Sequence, residues 1–230
     1  MRVFYMREID MGDKIFLGAP KGVSCFVFGT SGLGKSWLAT ELAFDLSAGT
    51  NITGLSTARK SLRVLFSPLR DPETLILERL EILKKNNETR ENIDLATLEI
   101  LSGIDLFGFI PNYDVVIIDD FDMLHDGTYL SANKTLQRLM GIARQNCVSL
   151  FITGNLWIAE EFGEEKELSW YLLVDQTVPI VADFSRHEKI DSVRIFELSK
   201  NISGTIPQKR QYAIGEGGHL IYTPLALVSQ

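Results

Sequence analysis

The chain of 230 residues is 45% hydrophobic and 23% charged, which suits a globular protein with a substantial core and excludes a disordered or fibrous chain. A formal net charge of −7 excludes a broadly basic surface that would coat nucleic acid, while leaving room for a local set of basic loop residues. No apolar run is long enough to span a membrane, and Met1-Arg2-Val3-Phe4-Tyr5-Met6-Arg7-Glu8 has no signal-peptide core, so a cytoplasmic location without a membrane partner is expected.

Residues 1–22 read as a lead-in closed by the turn Gly18-Ala19-Pro20-Lys21-Gly22. Cys25-Phe26-Val27-Phe28 predicts a buried strand, and the stretch from Trp37 to Phe44 predicts a helix with an apolar face. Between them, Gly29-Thr30-Ser31-Gly32-Leu33-Gly34-Lys35-Ser36 matches G-x-x-x-x-G-K-[ST], the phosphate-binding P-loop. Glycines let successive backbone N–H groups converge on a polyphosphate, and the helix N-terminus adds partial positive charge. Lys35 would reach the outer phosphates and the Ser36 hydroxyl would hold Mg²⁺. The expected nucleotide-binding set is Gly29, Thr30, Ser31, Gly32, Leu33, Gly34, Lys35, Ser36 and Trp37.

Residues 50–61 read as a loop, Leu62-Arg63-Val64-Leu65-Phe66 as a strand closed by Pro68, and Asp71-Pro72-Glu73 as the N-cap and first turn of a helix running to about Lys85. Leu98-Glu99-Ile100-Leu101 predicts a short strand, and the segment from Gly103 to Pro111 an apolar loop. Val115-Val116-Ile117-Ile118-Asp119-Asp120 is a second strong signal: four β-branched residues imply a strand buried on both faces, with acids at the carboxyl end where open α/β sheets place their ligands. Asp119 reads as the carboxylate that orients Mg²⁺ opposite Ser36, or as a cap for the next helix. A helix from about Leu130 to Gln145 places Leu136, Leu139, Met140 and Ala143 on one face.

Val148 to Thr153 follows as a buried strand ending in Gly154-Asn155, where an amide would sense a γ-phosphate or hold a water, or serve as an ordinary turn residue. Residues 156–176 carry Trp157, Trp170 and Tyr171 around an acidic run and read as a solvated helix face with aromatic packing. From residue 177 the period changes to strands, at 177–182, 192–198, 211–214 and 219–222. Cys25 and Cys147, the only cysteines in the sequence, sit in apolar segments and are expected to be buried free thiols.

Strand, P-loop, helix, further strand and helix units and a β-rich tail form an order that resembles the RecA-like ATPases. Within them it resembles the hexameric replicative helicases of the RepA and DnaB type and their KaiC and RadA relatives, over about Val23 to Tyr222. The resemblance implies an α/β fold with a mostly parallel central sheet flanked by helices and a β-rich C-terminal extension over 177–230, the whole of 1–230 forming a single ATPase domain. It implies ATP and Mg²⁺ as cofactors, and sites completed between subunits of a homo-oligomeric ring or filament, a hexamer among them. It also implies single-stranded DNA as a partner, reached by basic residues such as Arg144 or Lys166, with a replication initiator or primase as a further partner.

Leu198-Ser199-Lys200-Asn201-Ile202-Ser203-Gly204 resembles a family strand ending in Lys-x-Arg-x-Gly, whose Lys and Arg reach into the next subunit's site. Lys200 and Gly204 match it, while Ile202 stands in the arginine's place, leaving Arg194 or Arg210 as substitutes and a plain surface lysine as the other reading of Lys200. Where the family carries a glutamate that polarises water, alignment on Asp71-Pro72 places Arg70, which cannot act as a base at neutral pH. Hydrolysis would then be slow, or would use Asp71, Glu73 or Asp120 after a small shift of register. The catalytic set so implied is Lys35, Asp119, Asp120, Asn155 and Lys200, with Ser36 and Asp119 on the metal. His125 would contact phosphate or a neighbouring subunit, or be a loop histidine. An AAA+ loader of the DnaC type is a competing resemblance, since Asp119-Asp120 and Thr153-Gly154-Asn155 look like its Walker B and sensor residues. Two functions follow: a helicase translocating on single-stranded DNA, or a nucleotide-dependent regulatory or assembly ATPase that unwinds nothing.

Overall fold

Three segments set the architecture. β3 (Cys25–Phe28), β6 (Val115–Asp119) and β7 (Ser149–Gly154) are buried at every residue. A strand without an exposed face must be covered from both sides, so these three lie in the middle of a sheet with helices above and below. The computed structural model describes residues 14–86, 93–96, 105–155, 171, 173–201, 209–215 and 218–223. The strand expected at Leu98–Leu101, the stretch holding Trp157, Lys166 and Trp170, and the segment Ile202-Ser203-Gly204 lie outside the described residues.

The remaining strands are β1 (Lys14–Phe16), β2 (Ala19–Pro20), β4 (Val64–Pro68), β5 (Ile93–Leu95), β8 (Ile180–Arg186), β9 (Val193–Asn201), β10 (Lys209–Ile214) and β11 (Leu220–Thr223). Among the described residues, β1 and β2 form a hairpin and the other nine strands one sheet, in the order β11-β10-β9-β8-β3-β7-β6-β4-β5. The run from β8 to β5 is parallel and the run from β8 to β11 antiparallel. This is the mostly parallel α/β sheet with a β-rich C-terminal part that the sequence predicts. The chain leaves β3 toward β4 on one side and later adds β8 on the other, so a crevice opens at the carboxyl end of β3.

Helices α1 (Lys35–Ala48) and α2 (Glu73–Asn86) cover one face, packing Leu38, Leu42, Phe44, Ile76, Leu80 and Leu83 against it. The four-residue α3 (Leu106–Phe109) and α4 (Tyr129–Asn146) cover the other, with Leu106, Leu136, Leu139 and Met140. Several expectations shift. The strand read at residues 62–66 is displaced to β4, and the first strand of the tail starts only at Ile180, because residues 173–177 are helical and Val178 N–H still donates to the Val174 carbonyl at 2.8 Å. The apolar loop expected before Pro111 is instead α3, started by Asp105, whose side chain accepts from Phe107 N–H at 3.1 Å. Cys25 is buried as expected, but Cys147 is exposed: it ends α4 as a left-handed cap at φ 54°, which turns it away from the core. Asp71, expected as the N-cap of α2, receives Arg79 at 2.6 Å.

α1 is buried around its whole circumference, and it buries two carboxylates with it. Asp45 is satisfied by the Thr50 and Thr53 hydroxyls and by Ile52 and Thr53 N–H, all within 2.7–2.8 Å, which folds the loop after the helix. Glu41 accepts only Leu220 N–H, at 2.7 Å, while its second oxygen is buried without a partner. Burial pushes the Glu41 carboxyl up to about 8, against the Leu220 bond that lowers it and with Asp45 adding to the rise. A carboxyl raised in the fold binds a proton that the unfolded chain releases, so stability is present below the unfolded value of 4.5 and is lost as pH rises through 8. Glu41→Gln keeps an acceptor for Leu220 and removes the charge. It is expected to leave thermal stability nearly unchanged at pH 5 and to raise it at pH 9 by on the order of 4 kcal/mol. Thermal melts of both proteins at the two pH values check this, and an equal shift at both would contradict it.

Candidate functional site

The carboxyl ends of β3, β4, β6 and β7 meet the N-terminus of α1 around a cavity of about 310 Å³, within the range of about 300–1,000 Å³ usual for small-molecule sites. Ser31, Gly32, Gly34, Lys35, Ser36, Trp37, Arg70, Asp71, Arg79, Asp119, Asp120, Thr153 and Asn155 line it. Two glycines make the loop after β3 possible. A Cβ on Gly29 would stand 2.5 Å from the Phe184 carbonyl of β8, and Gly34 caps α1 at φ 97° without a side chain to occupy the first N–H groups. An uncapped helix start of this kind attracts anions.

Lys35 is the buried cation of the cavity. Its ammonium donates to the Gly29 carbonyl at 2.8 Å, the Thr30 carbonyl at 2.9 Å and the Asn155 side-chain oxygen at 3.0 Å. Burial lowers its pKa, while Asp119, Asp120 and Asp122 pull it back up and Arg70 opposes them. Asn155 in turn gives its backbone N–H and its side-chain amide to Asp122, at 3.0 and 2.9 Å. The amide is thus oriented, oxygen to Lys35 and nitrogen to Asp122, by charges on both sides.

Asp119 ends β6 almost fully buried, accepting from the Thr153 hydroxyl at 2.6 Å and from the Ser36 hydroxyl. Burial raises its pKa and these two donors oppose the rise. The Thr153 hydroxyl also accepts Asp120 N–H at 3.0 Å, which ties β7 to the turn after β6. That turn puts Asp120 at φ 70°, a left-handed conformation uncommon for a non-glycine residue and frequent at functional sites. Asp120 pairs with Arg70 through one oxygen, while the other is buried without a partner, and its carboxyl is pushed up to about 6, chiefly by burial.

These groups fit a magnesium nucleotide. One hydroxyl and one carboxylate, Ser36 and Asp119, stand together beside a lysine and an open helix start, and magnesium commonly takes one or two protein oxygens with phosphate and water completing its shell. Among the described residues no group of three or more His, Cys, Asp or Glu side chains is placed to hold a metal.

Comparison with known proteins decides the family. A family model described as an AAA domain matches residues 13–153, more than half of the chain. The chain belongs to this AAA-domain family. The fold of this AAA-domain protein is that of a RecA-like P-loop ATPase. A KaiC-like protein from the hyperthermophilic archaeon Pyrococcus horikoshii superposes with a TM-score of 0.60 at 15% identity, over 91% of this chain and 94% of that one. The flagellar accessory protein FlaH of Methanocaldococcus jannaschii gives 0.62 at 13% identity, over 90% and 92%. At these identities the likeness concerns the fold. No curated protein sequence matches. The RecA-like fold that the resemblance implies is thereby met.

Of the residues expected at the AAA domain's nucleotide site, Ser31, Gly32, Gly34, Lys35, Ser36 and Trp37 line the cavity, joined by Asp119, Asp120 and Asn155. Gly29 and Thr30 contribute the carbonyls that hold Lys35, and Leu33 is buried in the core. Lys200 lies toward the opposite edge of the sheet, level with Val181, and donates to the Asp175 carbonyl. The two suggested substitutes for the missing arginine are engaged within their own chain. Arg194 is buried and donates to the Leu33 carbonyl of the P-loop at 2.9 Å and to the Asp191 and Val193 carbonyls; Arg210 is buried over the Tyr222 ring. His125 packs against Phe121 and accepts Gly127 N–H, and it is not among the residues lining the cavity.

Three contributors, Thr153, Asp122 and Arg79, escaped the sequence reading, and Arg194 has a role other than the substitute finger offered for it. Thr153 and Asp122 orient Asp119 and Asn155, Arg194 braces the P-loop, and Arg79 stacks 5.1 Å over the Trp37 ring while held by Asp71. A third acid three residues after Asp119 was the one local signal for them. Among the described residues no helix is long and apolar enough to cross a membrane.

Proposed function

We propose that the chain binds Mg·ATP in this cavity and hydrolyses it slowly, as a nucleotide-dependent assembly or regulatory ATPase. The P-loop amides from Gly29 to Ser36 and the α1 N-terminus cradle the phosphates, Lys35 takes the outer ones, Ser36 and Asp119 hold Mg²⁺, and Trp37 stands beside the bound nucleotide. Asn155 positions the attacking water and Asp120 takes its proton. The observation that carries this reading is the convergence of the buried Lys35 with the Ser36–Asp119 pair at the crevice of the sheet. As one domain, the chain assembles into a ring or filament in which Lys200 faces the next subunit.

A helicase translocating on single-stranded DNA, with an initiator or primase as partner, is the second reading, drawn from the resemblance in the P-loop, β6 and β9. The regulator reading draws on Arg70, which covers Asp120, and on Arg194 and Arg210, which are engaged inside their own subunit. Two measurements separate them. Light scattering with and without a non-hydrolysable ATP analogue is expected to show nucleotide-dependent assembly, and ATP turnover is expected to stay within about twofold when single-stranded DNA is added. Strong stimulation by DNA would replace the regulator with the motor, since a finger completed in trans is worth about 10³ to 10⁵ in rate.

A further inference from the structure

Arg70 lies two residues past β4, at the place where the resemblance to the RecA-like ATPases implies a water-activating glutamate, and it pairs with Asp120. Its backbone is fixed, because the adjoining Leu69 N–H donates to the Asp119 carbonyl at 3.1 Å. Its side chain is not. The Arg70 side chain is 54% exposed, whereas the Asp120 side chain it reaches is 12% exposed. Swinging such a side chain within a wet cavity loses little packing, and solvent around the exposed partner weakens the pair. Arg70 and Lys35 line the same cavity, close enough that Arg70 depresses the Lys35 ammonium. With Arg79 they face Asp71, Asp119 and Asp120 in the lining, three cations to three carboxyl groups, before a triphosphate arrives.

A triphosphate changes that balance. Its terminal group brings charge next to Asp120, and like charges in a low-dielectric cleft repel unless a cation stands between them. An arginine offers a planar fork suited to phosphate oxygens, and its bond to a phosphate is charge-assisted like the one it leaves.

We propose that Arg70 is a two-position catalytic residue: it covers Asp120 in the arrangement described above, and it moves to the γ-phosphate of a bound nucleoside triphosphate, uncovering Asp120 as the base. In the second position the attacking water loses a proton to Asp120 as its oxygen bonds to the γ-phosphorus. The bond from that phosphorus to the β–γ bridging oxygen breaks, ADP leaves with the bonding pair, and Arg70 carries the charge developing on the transferred group. A nucleoside diphosphate has no group to draw Arg70 away, so it binds with the Arg70–Asp120 pair intact. The ion pair is therefore a γ-phosphate sensor inside one subunit, supplying from the same chain what Ile202 does not supply to a neighbour.

This rests on the cavity being a Mg·ATP site, and the test separates the two. Calorimetry with magnesium would measure affinity for ADP and for the β,γ-imido analogue of ATP, in wild type, Arg70→Ala and Asp120→Asn. Arg70→Ala is expected to weaken the triphosphate analogue by about 10- to 100-fold, the worth of one charge-assisted bond, and to change ADP binding by less than about twofold. Asp120→Asn frees Arg70 in advance and is expected to bind the analogue as tightly as wild type or tighter, while ATP turnover falls. Equal effects of Arg70→Ala on both nucleotides, or none on either, would overturn the role of Arg70 and leave the nucleotide site standing. Failure of wild type to bind either nucleotide would overturn both. Because Arg70 is half exposed, the variant is expected to fold, and an unchanged thermal melt would establish that its binding data report on the cavity.

Discussion

Replacing Lys35 with alanine is expected to weaken ATP binding by about 10²- to 10³-fold, which corresponds to losing one or two charge-assisted hydrogen bonds. The ammonium is buried at the cavity floor and held by two neutral carbonyls and one neutral amide oxygen. Burial depresses its charged form, and the three nearby aspartates restore it. Exchanging neutral acceptors for phosphate oxygens is therefore strongly favourable for Lys35, and alanine forfeits that gain entirely. Lys35→Arg is expected to lose almost as much, because a planar guanidinium does not fit a position shaped for a point charge between Gly29 and Asn155. Fluorescence or calorimetric titration of each variant checks the prediction; wild-type affinity in Lys35→Ala would remove Lys35 from the site.

Asp119→Asn is expected to leave the fold intact and to lower ATP turnover by about 10²- to 10³-fold, the scale seen when one electrostatic contact to a transition state is removed. An amide oxygen still accepts from Thr153, so the tie between β6 and β7 survives. The amide nitrogen no longer accepts from Ser36, which costs about 1 kcal/mol. What disappears is the negative charge beside the Ser36 hydroxyl, and with it the pull on magnesium. The diagnostic is the magnesium dependence of nucleotide affinity: wild type should tighten as magnesium is added, and the variant should bind magnesium-free ATP as well as wild type but gain little from the metal. A variant with wild-type turnover and wild-type magnesium response would show that Asp119 only orders the strand ends.

The parts of this molecule written in runs of neighbouring residues were legible beforehand. The P-loop, its strand and its helix, and the apolar run ending in Asp119 each carry their signal within a dozen positions, and the structure puts them at one sheet edge. The residue types of Arg70 and Asp120 were also legible, but not their pairing, because 50 positions separate two residues that meet only when β4 lies against β6. The same holds for Lys35 with Asn155 and for Arg194 with Leu33, separated by 120 and 161 positions. Arg194 illustrates the limit most sharply. The sequence offers it only as a substitute finger for a neighbour's site, and only the pairing of β9 with β8, next to β3, brings its guanidinium to the P-loop. Burial of Glu41 and Asp45 on α1 was not legible in the sequence, since it takes the loop after α1 and the start of β11 folding over them.

A single equilibrium underlies all of these roles, the binding of magnesium and ATP by the unmodified chain. Isothermal titration of wild type with ATP, with and without magnesium, is expected to give one saturable site per chain that tightens with the metal and weakens sharply in Lys35→Ala. Absence of heat or of any saturable binding for ATP in the presence of magnesium, with the chain folded, would contradict the nucleotide reading of the cavity and with it the roles of Lys35, Ser36, Arg70 and Asp119.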